Sequence, residues 1–152
     1  MLLDNVDLGI LRILQADARL TTKHIADKMG LTTTPIFERI KKLEKEGYIK
    51  NYVAVLDNKK IDRALIAFCN VQLKEHSKHM LQEFEKKISK LPEVMECHHI
   101  AGVFDYLIKV AVKDMNDYQE FITNKLAVIE NIGQVQSSFV MTEVKSNTAF
   151  PL

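Results

Sequence analysis

Three hydroxyls in a row, Thr32, Thr33 and Thr34, precede a run that carries Glu38, Lys41, Lys42 and Lys45. At about 100° per residue, Thr34 and these four charges fall on one side of a helix. Ile36, Ile40 and Leu43 fall on the other. The chemistry such a face offers is recognition of a polyanion. Helix N-termini favour phosphate through free N–H groups and the dipole, and long cations reach a sugar–phosphate backbone. Threonine can hydrogen-bond a base edge or set its methyl against thymine. An ordinary solvent-facing helix has the same look. Glu38, Glu44 and Glu46 fit that alternative, and Glu38–Lys42 is a stabilising pair at four-residue spacing.

Other groups with chemical potential are less organised. His98 and His99 are adjacent, and neighbours on a strand point to opposite faces, so they do not share one metal ion. Cys69 and Cys97 are expected on strands that are not neighbours, which argues against a disulfide and for two buried small residues. The sequence has no phosphate-binding glycine loop, no dinucleotide fingerprint and no H-E-x-x-H pair. No metal or cofactor is expected, and no nucleophile–base set stands out.

The elements that must position the threonine–lysine face read clearly. Asp4 is a helix N-cap ahead of Val6, Ile10, Leu11 and Leu14. Thr21 or Thr22 caps a second, short helix with Ile25, Ala26 and Met29 inward and Gly30 as its stop. Thr32 caps the third. Pro35 falls in its first turn, where a missing N–H costs nothing, and Gly47 ends it. Two short helices joined by a tight turn fit a helix-turn-helix, and the β-forming stretch Tyr48–Leu56 supplies a wing. The polar segment 57–63 reads as a linker. Residues 64–152 then follow the order strand, helix, strand, strand, helix, strand. The strands are expected at Leu65–Leu73, Val94–Ala101, Asp105–Val112 and Val135–Val144, and the helices at Lys78–Leu91 and from Asp114 to Ile129. The fold class is α+β: a winged helix-turn-helix over 1–56, then a ferredoxin-like βαββαβ sandwich with both helices on one face of the sheet. The other face carries apolar groups and is expected to be covered by a second subunit.

Composition sets limits. The chain has 152 residues, 47% hydrophobic and 27% charged, with net charge +1. No apolar run approaches the roughly 20 residues of a membrane span. The opening residues show no secretory signal, and two cysteines form no disulfide framework, so the cytoplasm is expected. Charge is uneven: residues 1–60 carry 11 Lys/Arg against 8 Asp/Glu, and the remainder is mildly acidic. A basic front and an acidic back suit two domains with two tasks.

The stretch from Val6 to Ile49 resembles the DNA-binding domain of the Lrp/AsnC family of transcription regulators. The resemblance is carried by Asp7 with Ile10, Leu11 and Leu14, by Arg19, by Ile25 through Leu31, and by Arg39-Ile40, Leu43-Glu44, Gly47 and Ile49. Thr32 stands where the family pattern has serine. "GVFDYLIKV" resembles the turn G-D-x-D-Y of the family's regulatory domain, with Val103 in place of the first acid, and "VKSNTAFPL" resembles its tail. The resemblance implies double-stranded DNA as a partner, with Thr22, Thr32, Thr33, Thr34, Glu38, Arg39, Lys41, Lys42 and Lys45 as the DNA-binding set. It implies an amino-acid effector held between subunits by Gly102, Val103, Phe104, Asp105, Tyr106 and Ser137. Asp105 would accept from the ammonium and the backbone N–H groups of 102–104 would hold the carboxylate. The alternative for this turn is a plain hairpin capped by Asp105. A homodimer assembling to an octamer is also implied. Two other readings stay open: an enzyme on the same scaffold, similar to siroheme decarboxylases and using His98 or His99, and an effector-free module that organises DNA.

Overall fold

The computed structural model describes residues 2–152, which divide into two compact units. The first comprises residues up to Val55 together with Val144–Leu152; the second is Leu56–Glu143. The expected linker segment lies in the second unit as a 3₁₀ turn, Asn58–Ile61, capped by Asp57.

Three helices build the first unit: α1 (Asn5–Ala16), α2 (Thr22–Met29) and α3 (Thr33–Lys45). Their starts follow local chemistry. Asp4 accepts from the N–H groups of Val6 and Asp7, and the Asp7 side chain accepts from Asp4 N–H, which forms a reciprocal capping box. Thr21, not Thr22, caps α2 by accepting from His24 N–H. Gly30 ends α2 at φ 65°, a left-handed turn that glycine enters without strain. Ile10, Ile25, Ala26, Ile36, Ile40 and Leu43 form the core. The wing is different from expectation. Tyr48–Leu56 pairs with no strand among the described residues, and the four strands that do pair all belong to the second unit.

In the second unit, β1 (Leu65–Leu73), β2 (Val94–His99), β3 (Tyr106–Val112) and β4 (Ile132–Phe139) form one antiparallel sheet in the order β2-β3-β1-β4. The helices are α4 (Lys78–Ile88) and α5, whose first turns are Met115–Glu120 and which continues through a wider turn over Phe121–Leu126. Ala67, Cys69, Val71, Ile108, Val110, Phe84, Ile88, Phe121 and Leu126 meet in the core between sheet and helices. β4 lies upstream of its expected span. Ala67 pairs with Phe139 and Val140 N–H donates to Ile66, so β1, which begins at Leu65, has at most one residue left for anything later. Cys97 corrects another expectation: it is an exposed edge-strand thiol, and only Cys69 is buried.

Candidate DNA-binding and effector sites

The α3 face forms as its period requires. Ile36 and Leu43 are fully buried, while Thr32, Thr33, Thr34, Glu38, Lys41, Lys42 and Lys45 are exposed. Thr32 occupies the N-cap position but its hydroxyl makes no capping bond, so it does not serve the cap role expected of it and stays available. Lys41 donates to Glu44 at 2.9 Å and lies 5.9 Å from the Phe37 ring centre; Lys42 is 4.0 Å from Glu46. Such exposed pairs are worth at most about 1 kcal/mol, so phosphate can compete for either cation. Glu44 is held below its ordinary value by the Lys41 hydrogen bond, and it also accepts from Tyr52, whose hydroxyl is pushed up to about 12 by burial first and this bond second.

Two members of the expected DNA set are placed otherwise. Thr22 is half-buried in the first turn of α2. Arg39 is turned to α1, where its guanidinium donates to Asp4 and Asp7, each at 2.7 Å. Asp7 is 4% exposed, and a buried carboxylate requires a paired charge. Arg39 therefore fastens α3 to the start of α1. Its own proton is held more tightly as a result, by Asp7 first and Asp4 second. The four-residue signature Asp4-x-x-Asp7 at a helix start was the visible sign of this tie, and the sequence reading passed over it.

The turn Gly102–Tyr106, the candidate effector site, is also built, with its groups engaged. Gly102 stands at φ 149°, a conformation side chains resist. Val103 is 79% exposed at the tip. Asp105 is anchored on three sides: its N–H donates to Val71, its carboxylate accepts from Leu73 N–H at 2.7 Å, and it sits 3.0 Å from His76 Nε2. Tyr106 points into the helix layer, where its hydroxyl donates to Glu85 at 2.8 Å and its ring stacks on His99. Burial first, then this bond to Glu85, raises the phenol well above its ordinary value. Phe104 is half-buried. Ser137 lies on the same layer as Tyr106 but not beside it. It pairs across with Cys69 and accepts from the Tyr118 hydroxyl, and β1 stands between it and the turn. His76 and Tyr118 were not among the site residues expected from the sequence, since each meets its partner, Asp105 or Ser137, only through the fold.

His98 pairs with Glu96 at 3.2 Å, and no group of three or more metal-binding side chains occurs among the described residues. No described helix is long and apolar enough to cross a membrane.

Residues 3–50 match the winged helix-turn-helix DNA-binding family, and residues 66–150 match the Lrp/AsnC ligand binding domain. The chain belongs to the Lrp/AsnC family. It is 39% identical over 150 residues to the Bkd operon transcriptional regulator of Pseudomonas aeruginosa, covering 99% of this chain and 98% of that one. It is 34% identical to the leucine-responsive regulatory protein of Escherichia coli, covering 95% and 88%. A solved transcriptional regulator from Neisseria meningitidis, described as a complex with L-Met, superposes with TM-score 0.94 at 33% identity over 99% of this chain and 97% of that one. As an Lrp/AsnC member the chain is a DNA-binding transcription regulator with a ligand-binding domain, and not an enzyme. The decarboxylase-like alternative is not favoured, since these relatives are regulators.

Proposed function

We propose that α3 enters the major groove of double-stranded DNA, and that an amino acid bound by the second unit sets the DNA affinity. The observation that carries the first half is the exposed face of α3. Thr33 and Thr34 stand at its N-terminal end, flanked by Thr32, and Lys41, Lys42 and Lys45 follow. Thr33 and Thr34 meet base edges while the lysines meet phosphates. Arg39 is left out, because Asp4 and Asp7 already hold it.

The effector half uses the turn Gly102–Tyr106 and Ser137. The family match and the relative described with L-Met support an amino acid as the ligand class. In one chain β1 separates Ser137 from the turn, which supports a site completed by a second copy. A homodimer is further supported by the open sheet face, where Ile66, Phe68 and Leu107 are only half-buried. Assembly of dimers to an octamer compensates for the low net charge, because linked weak contacts multiply through effective concentration. A second reading, the effector-free DNA-organising module, is favoured by one observation: Asp105 already has Leu73 N–H and His76 as partners.

A thermal-shift panel of the amino acids, followed by DNA titration with each hit, tests the proposal. A ligand that binds only the folded state raises the melting point. The proposal expects at least one hit that also changes DNA affinity. A panel without hits leaves the effector-free module.

A further inference from the structure

The last residues of the chain lie on α1 of the first unit. Gln15 and Phe150 exchange two hydrogen bonds: Gln15 Nε2 donates to the Phe150 carbonyl at 3.1 Å, and Phe150 N–H donates to Gln15 Oε1 at 2.7 Å. One turn back on the helix, Arg12 Nε donates to the Leu152 carbonyl at 2.6 Å. Every one of these bonds ends on a main-chain group of the tail. The contacted residues alternate, so a side-chain amide and a guanidinium stand in for a strand neighbour. Asn147 adds a local brace by accepting from Ala149 N–H at 2.9 Å.

We propose that residues 144–152 are a strap whose docking surface is the Arg12/Gln15 face of α1, and that the strap makes the DNA-binding unit answer to β4. The signal it carries rests on the effector reading above. The route is a series of contacts. Ser137 accepts from Tyr118; the Tyr118 ring meets the Phe139 ring edge-on at 4.8 Å; Val140 N–H makes the last sheet bond to Ile66. The chain then leaves the sheet, with Met141 98% and Val144 93% exposed, until the strap docks. The tether keeps the strap at a high local concentration, so few bonds suffice to hold it. Because those bonds are exposed, docked and free states lie close in free energy, and a ligand that favours one of them shifts the balance.

Amide exchange at Phe150 and DNA titration of the full-length protein test this. In the parent the Phe150 amide is slowed, and Gln15→Ala releases it. The change in DNA affinity produced by the best amino acid of the panel, about fivefold or more in the parent, falls toward none in Gln15→Ala. It falls equally in a chain ended after Lys145. By linkage, amino-acid affinity measured by calorimetry changes by no more than that same factor in both variants, so each is compared at saturating amino acid. A Phe150 amide that exchanges freely in the parent overturns the docking. An undiminished DNA response in both variants overturns the coupling. A parent that binds no amino acid instead sinks the effector reading, and Phe150 exchange still rules on the docking.

Discussion

The two units hold their candidate sites in opposite ways. In the first, the candidate recognition groups stand on one face of one helix and the opposite face supplies the core: Ile36, Ile40 and Leu43 are buried while Thr33, Thr34, Lys41 and Lys42 reach solvent. In the second, the candidate groups are knitted into the fold. Asp105 joins the β2–β3 turn to the end of β1 and to His76, Tyr106 ties to Glu85 on α4, and Ser137 is bonded to Tyr118. Candidate function and stability are therefore separable on α3 and entangled at the turn. The first unit also has the smaller core, six buried apolar residues against fourteen among the described residues. It leans correspondingly on a polar tie, Arg39 with Asp4 and Asp7.

The largest effect expected is at that small core. Ile36→Ala opens a cavity beneath α3 and costs about 2–5 kcal/mol, most of what a unit this size has in hand. Denaturant unfolding followed by DNA titration should show both properties lost, with amide protection in β1 and β3 retained. Loss of protection in the sheet as well would mean that the two units are not independent.

Arg39→Ala comes next. It leaves the Asp7 carboxylate buried without its partner, and the guanidinium's partial exposure moderates the cost to about 1–3 kcal/mol. Thermal unfolding measures this. A variant as stable as the parent but unable to bind DNA would return Arg39 to the DNA-contact set.

The turn should show the entanglement. Asp105→Ala strands the Leu73 N–H and is expected to cost about 1–3 kcal/mol, visible in the melting temperature. Asp105→Asn keeps an acceptor for Leu73 and loses only the charge facing His76, so its stability loss is smaller. If the carboxylate also takes the effector's ammonium, Asp105→Asn weakens amino-acid binding by about tenfold or more, which is roughly 1.5–3 kcal/mol. Unchanged affinity by calorimetry would leave Asp105 a purely structural anchor.

How much of this was readable in the sequence follows from the same contrast. The α3 site lies within one helix, so a 3.6-residue period exposes it. The core stripe, Gly30, Gly47 and Pro35 all stand where spacing put them. The β1 and β3 spans were legible for a related reason, since alternation marks them directly. Partners far apart in sequence were not. Arg39 meets Asp7, Asp105 meets His76 and Gln15 meets Phe150 only after folding. The early start of β4 was hidden too, because Ile132-Gly133 has no alternation and its pairing is decided by β1.

The smallest expected effect is on pH dependence. Asp4 sits below its ordinary 3.8, held there by the Asp7 N–H first and by Arg39 next. A depressed carboxyl contributes stability that is complete above its unfolded value and is lost as pH falls through its folded one. The parent should therefore lose stability on acidification below 3.8, and Asp4→Asn, which keeps a cap acceptor without the charge, should lose less. Equal acid slopes in the two melts would remove Asp4 from the tie.

We propose that α3 presents its lysines to DNA phosphates and that this face adds only exposed ion pairs to the fold. The most direct measurement is the slope of log affinity against log salt on duplex DNA, for the parent and for Lys41→Ala/Lys42→Ala. Each phosphate left without its lysine lowers the slope by about one, so the double variant's slope should fall by about two for every α3 seated on the DNA. Its unfolding free energy should fall by no more than about 1 kcal/mol, the worth of the exposed pairs removed. A variant with the parent's affinity and slope would contradict the account, and α3 would then be an ordinary solvent-facing helix.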